Sequence, residues 1–209
     1  MRSRACAVLV VLLLPGLALG QGTAIEGVVQ AGRQPVRDAV VYLEDDEAAI
    51  PAVMSVDTAT VDQHGLRFVP QVVVGRPGLT VSFLNSDPIL HNVFSPGWLG
   101  KPFDLGTYPS DSVRSHRFAA EGPHVILCHV HPEMVAYVLI VATPYHAVTD
   151  AEGHFRIPGV TSGTYRLAVW RRGSEPRRER LVVPDRRALT LKLDISRPGK
   201  ELLQTAGAD

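Results

Sequence analysis

An all-β fold built from antiparallel β-sandwiches is what this sequence predicts, and three observations predict it. Short runs rich in Val, Tyr, Phe and Thr alternate with clusters of Gly, Pro, Asp and Ser along almost the whole chain after Gln21. Thr80-Val81-Ser82-Phe83-Leu84 alternates polar and apolar residues, the two-residue period of a strand that buries one face. Turn signals recur roughly every eight to twelve residues, and no stretch carries a convincing helical period.

The chain has 209 residues, room for one or two domains, and it can bury an adequate core without disulfides. Its first twenty residues, MRSRACAVLVVLLLPGLALG, read as a secretory signal. Arg2 and Arg4 make a basic start, Ala5 to Leu14 is apolar, and Pro15-Gly16 breaks the run. Ala18 and Gly20 supply the small residues of a cleavage site before Gln21. The run is short for a bilayer span, so a secreted or periplasmic product with no membrane span is expected. No Cys follows the small residues, which argues against a lipoprotein. Cys6 leaves with the signal, so Cys128 becomes a lone thiol in an oxidising compartment. Such a thiol is reactive, intermolecular or metal-bound.

Charge balances overall but not locally. Residues 21–149 carry 7 basic and 13 acidic side chains, and residues 150–209 carry 12 and 8. The mature net charge gives no case for nucleic acid as a partner, and the acidic front and basic back are only a weak orienting field.

The strands fall into three blocks. Residues 24–50 hold AIEGVVQ and DAVVYLE, joined by a turn at Gly32 and Pro35. Residues 56–142 hold seven or eight strands ending in VAYVLIVA, and residues 145–195 hold about five more. The tail 196–209 is polar and is expected to be disordered. Two strands alone are not stable, so the first block must pair with something. It resembles the opening of the carboxypeptidase regulatory-like fold: Gly27-Val28-Val29, a turn from Gly32 to Val36, then Ala39-Val40-Val41. That family's T-D-x-x-G-x-F and G-x-Y patterns reappear at Thr149–Phe155 and Gly163-Thr164-Tyr165. The resemblance implies one discontinuous, Ig-like or transthyretin-like sandwich, 24–50 plus 145–195, into which residues 56–142 are inserted. The alternative is a single larger sandwich with a C-terminal extension.

The chemistry gathers in Cys128-His129-Val130-His131-Pro132-Glu133-Met134. A type 1 copper site takes two imidazoles, one thiolate and a weak axial thioether. Cys128, His131 and Met134 supply three of these donors from one loop, with the thiolate ending one strand and the thioether opening the next. Pro132 restricts His131 to extended geometry. The second imidazole must come from another loop, and His91 in NSDPILHNVFS is placed to supply it. Asn92 beside it is placed to hydrogen-bond across to the Cys loop.

This middle block resembles the cupredoxins, amicyanins most closely. The loop reproduces their C-x-x-H-P-x-M, and Asn85 to Val93 matches their N-x-x-x-x-x-H-N-V. The whole chain resembles cupredoxin-containing proteins of the methylamine-utilisation-like type, which carry a stretch like Lys101–Tyr108. The resemblance implies a Greek-key β-sandwich holding one type 1 copper ion on His91, Cys128, His131 and Met134. It implies a one-electron carrier serving a redox partner protein; loop position alone suggests Leu90, Pro96, Val130 and Pro132 as an apolar docking rim. A copper protein for storage, delivery or sensing is the alternative. A further rival is a structural module that lost its metal, against which the complete ligand set argues.

Blander readings stand beside these. His129 projects away from Cys128 and reads as exposed or as a neighbour of the ligands. The other histidines read as surface or half-buried. Glu44–Glu47 reads as a solvated loop, Arg171–Arg180 as a solvated hairpin, and Trp98 and Trp170 as core or patch residues. No hydrolytic triad, zinc-protease motif or phosphate loop is present, so no enzyme is expected. His129 occupies the position that a second copper centre would use, but the partner His-x-His segments are missing.

Overall fold

The computed structural model describes residues 22–45, 57–185, 187–196 and 203–205. The expected secretory signal lies outside them. No helix occurs among the described residues, and none is long and apolar enough to cross a membrane.

The strands run in chain order as β1 (Thr23–Ala31), β2 (Gln34–Pro35), β3 (Val40–Asp45), β4 (Thr58–Gln63), β5 (Phe68–Val69), β6 (Val72–Gly75), β7 (Leu79–Asn85), β8 (His91–Ser95) and β9 (Phe103–Tyr108). They continue as β10 (Ser112–Phe118), β11 (Gly122–Leu127), β12 (Val135–Ile140), β13 (His146–Val148), β14 (His154–Val160), β15 (Gly163–Trp170), β16 (Arg177–Val183), β17 (Leu189–Asp194) and β18 (Leu203–Thr205). Of the tail expected to be disordered, Leu203–Thr205 pair with β17, Ser196 is an exposed bend, and the rest lies outside the described residues.

These strands make four sheets. The first has the order β14-β1-β17-β18 with β2 on β1, and the second β13-β3-β15-β16. The third is β6-β12-β11-β8-β9, and the fourth β10-β7-β4-β5. Strands from 24–45 therefore pair with strands from 146–194, and strands from 58–140 pair among themselves. Thr149 ties the early and late segments together: its hydroxyl donates to the Val36 carbonyl at 2.7 Å and accepts the Ala39 amide at 2.9 Å. Gly27 has no room for a side chain, because a Cβ there would strike the Leu191 carbonyl of β17 and the Phe155 ring of β14.

Three apolar layers separate the four sheets. Ile25, Leu43, Ile157, Tyr165, Leu167 and Leu191 lie in the layer between the first two sheets. Val61, Phe83, Phe118, Ile126, Cys128 and Met134 lie in the layer between the last two. A smaller layer of Val40, Tyr42, Val72, Leu139, Ala168 and Trp170 joins the second sheet to the third. Strands facing one core alternate, as β7 does with BiBiBiB burial. Strands sandwiched between two cores do not: Val40–Leu43 and Leu167–Trp170 are buried without interruption. Continuous apolar runs are what burial on both faces selects.

Most strand pairs among the described residues are antiparallel, as expected of such sandwiches, but three are not. β1 pairs with β17, β4 with β7, and β6 with β12, each in parallel. A parallel pair needs a long crossover. Here each intervening stretch crosses to another sheet and returns, which a two-sheet sandwich accommodates without helices.

Candidate metal centre

The site forms at one end of the third and fourth sheets, where two connections meet. The first follows β7. Asn85 at its end accepts the Asp87 amide on Oδ1 at 3.1 Å, an Asx turn, and its Nδ2 donates to the Ile89 and Tyr108 carbonyls at 2.8 and 3.2 Å. The Ser86–Leu90 loop is thus wound tightly and delivers His91 to the start of β8, fully buried. The second connection joins the antiparallel partners β11 and β12, where Leu127 faces Val135. Residues 128–134 close this turn, and the Met134 amide donates to the His131 carbonyl at 3.0 Å.

Three of the four expected ligands come together. Nitrogen and sulfur donors of His91, Cys128 and His131 all lie within 4.8 Å of one another. His131 Nδ1 is 3.0 Å from His91 Nδ1, and Cys128 Sγ is 3.9 Å from the same nitrogen. Two ligands each about 2.0–2.3 Å from one cation lie less than roughly 4.5 Å apart, so both spacings are short enough for the donors to share a single metal ion. Soft sulfur with two imidazoles is the donor set copper favours. Met134 is 1% exposed and packs in the same apolar layer as Cys128. Asn92 bridges the connections: its amide donates to Cys128 Sγ at 3.4 Å, and its Oδ1 accepts the His129 amide at 3.4 Å. Its Nδ2 is anchored on Asp104 at 2.8 Å.

Sequence reasoning missed Asp87. Its carboxylate accepts the Gly65 amide at 2.7 Å and the Leu66 amide at 3.0 Å, and lies 2.9 Å from His91 Nε2. Burial pushes this carboxyl up, but the Leu66 and Gly65 amides and the His91 imidazole outweigh burial and hold it below the usual carboxylate range. The only local signal was an acid four residues before a histidine. The two amides come from a turn between β4 and β5 that no local pattern links to Asp87.

His129 has a definite place. Its ring stacks on Phe94 at 3.5 Å between centroids, its Nε2 is 3.6 Å from Asp104, and its side chain is 57% exposed. It therefore points away from the cluster. Of the expected rim, Leu90 and Val130 are 54% and 45% exposed, Pro132 is exposed, and Pro96 is half-buried. Trp98 is exposed and Trp170 buried. Glu44 pairs with Arg178 through both carboxylate oxygens, at 3.0 and 2.9 Å.

Other histidines titrate away from the cluster. Burial, and then the charge of His124, lowers the pKa of His116, which stacks on Phe103 at 3.8 Å. Burial also lowers that of His146, with Asp57 opposing and Arg76 adding to the effect. Both are bases with depressed folded-state pKa values, so the unfolded chain takes up their protons first. Their stabilisation is full above the unfolded value of about 6.5 and is lost as pH falls through the folded values. The urea midpoint should therefore drop between pH 7.5 and 5.5, and drop less in His116→Phe, which keeps the ring stack. An equal pH slope in the two proteins would rule out His116 as a source.

The carboxypeptidase regulatory-like domain family matches residues 133–196. The match starts upstream of the boundary expected at 145 and takes in β12, which pairs with β11 and β6. No curated protein matches the chain. Among solved structures, a Cu-containing nitrite reductase from Thermus scotoductus is 23% identical over 44% of this chain, with TM-score 0.39. The matched part spans 25% of that reductase's own length. A purple cupredoxin from Nitrosopumilus maritimus is 23% identical over 40% of this chain and 99% of its own, with TM-score 0.36. Amicyanin from Paracoccus versutus is 19% identical over 48% of this chain and 97% of its own, with TM-score 0.38.

Proposed function

We propose that this protein is an exported type 1 copper protein that carries single electrons between redox partners. The observation that carries the reading is the convergence of His91, Cys128 and His131 donors within 4.8 Å at a buried strand end. Copper held there would supply a one-electron couple, and the chain's part is to hold soft and imidazole donors in one arrangement that suits both oxidation states. His91 is sealed inside and Cys128 is 3% exposed, so water is kept from both. His131 is half-buried and lies beside exposed Val130 and Pro132, which makes its edge the port for electrons and the apolar residues around it the docking rim. Met134, buried in the same apolar layer as Cys128, would offer its thioether as a fourth, weaker donor. Asn92 steadies the thiolate by its amide and fixes the Cys loop to β8.

The strand pairings favour a discontinuous carboxypeptidase regulatory-like sandwich interrupted by the copper-binding sandwich. Insertion at exposed turns with neighbouring ends is a tolerated way to join two such units.

Adding Cu(II) to the metal-free protein should give one equivalent of binding and an intense blue thiolate-to-copper absorption. Rapid electron self-exchange should accompany it. A protein that stays colourless would end the reading, and slow exchange with a large structural change between oxidation states would favour storage or delivery instead.

A further inference from the structure

Three N–H donors converge on one buried carboxylate. The Gly65 amide meets Asp87 Oδ1 at 2.7 Å, while the Leu66 amide and His91 Nε2 meet Oδ2 at 3.0 and 2.9 Å. Asp87 is 7% exposed and His91 fully buried, so water does not compete for these contacts. An ionised carboxylate only accepts hydrogen bonds, so His91 must carry its proton on Nε2. Nδ1 of the neutral ring is then a bare lone pair, and it is this nitrogen that faces His131 and Cys128.

The carboxylate is itself held on every side. Asn85 Oδ1 accepts its backbone amide at 3.1 Å. The turn that offers the other two amides has Gly65 at φ 60° and Leu66 at φ 58°, and the second is a left-handed conformation that a leucine rarely adopts. In this conformation both amides aim at one point, and the His64 amide closes the turn on the Arg67 carbonyl at 2.9 Å. A strained turn of this kind persists where its surroundings over-determine it.

We propose that Asp87 is a positioning residue for the metal centre: through His91 Nε2 it fixes the tautomer and the angle at which His91 presents Nδ1, with the Gly65-Leu66 turn as its buttress. The proposal rests on the reading of His91 as a copper ligand, except for the tautomer itself. An amide cannot replace the carboxylate. With its NH2 in the Oδ1 position an asparagine meets the Gly65 amide; in the Oδ2 position it meets the Leu66 amide and His91 Nε2, and there His91 relieves its share by moving its proton to Nδ1.

The first measurement needs no copper, and its readout comes from the wild type. Nitrogen–proton correlation spectra of the metal-free wild type, with His91 identified by loss of its signals in His91→Gln, should show the proton on Nε2 near neutral pH. A proton on Nδ1 overturns the proposal, and does so even where Asp87→Asn fails to fold. In folded Asp87→Asn, His91 should shift towards the other tautomer. Cu(II) affinity, read by chelator competition, should fall roughly 10–100-fold. The reduction potential should rise, because losing a nearby anion favours the less charged metal state. A variant that loses only thermal stability, with tautomer, affinity and potential unchanged, would make Asp87 a mere turn staple and overturn the proposal. A wild type that shows Nε2–H but binds no copper would defeat the copper reading alone, leaving the tautomer assignment in place.

Discussion

Cys128→Ser is expected to abolish the blue absorption of the copper-loaded protein while leaving the fold in place. Cys128 brings the thiol to the His91–Cys128–His131 cluster, and a serine oxygen is a harder, far weaker ligand that gives no comparable charge-transfer band. Cys128 is buried and free of any disulfide, so serine removes no cross-link. Serine is smaller and more polar, but the Asn92 amide that points at Cys128 Sγ remains as a partner for its hydroxyl. The stability of the metal-free variant should therefore stay within about 1–2 kcal/mol of wild type by urea denaturation. Absorption titration with Cu(II) is the check. A surviving blue band would place the thiolate elsewhere and remove Cys128 from the centre.

The second large effect concerns the scaffold. Trp170→Ala should cost about 3–5 kcal/mol, the usual loss when a buried aromatic is cut to a methyl. Trp170 is 3% exposed at the end of β15 and meets Tyr137 of β12 edge-on, at 5.7 Å and 65°. It belongs to the smaller layer that joins the second sheet to the third, so its loss weakens the coupling of the two sandwiches more than either core. Urea unfolding should accordingly shift to lower midpoint and separate into two steps, since two-state behaviour depends on that coupling. A loss below about 1 kcal/mol would mean that the layer contributes little to holding the sandwiches together.

Several details of the fold were legible because they are local. Thr80–Leu84 shows the alternation in burial that its sequence pattern implies. The T-D-x-x-G-x-F pattern becomes a turn in which Asp150 Oδ1 accepts the Glu152 and His154 amides at 3.1 and 2.7 Å. Gly153 sits there at φ 81°, with its position backed against the Val29 carbonyl so that no Cβ fits. The stacking of four sheets was less legible. The uninterrupted apolar runs VVYL and LAVW signal burial on both faces, but a run of four to eight apolar residues does not say what covers it. Likewise the parallel pairs β1–β17 and β4–β7 join segments far apart in the chain, and no strand carries its partner's address in its own composition.

A candidate donor set was legible along the chain: one thiol, two imidazoles and a thioether, with three of the four on a loop short enough to fix their spacing. The three-dimensional fold set which way those donors face. His91 presents Nδ1 because Asp87 occupies its other nitrogen, and Asp87 is held by amides of a turn some twenty residues upstream. It also decided that His129, next to Cys128 in the chain, turns outward onto Phe94. The reason is one of range. Spacing along a strand or tight loop is set by backbone geometry within a few residues, whereas orientation is set by hydrogen bonds between elements that folding alone brings together.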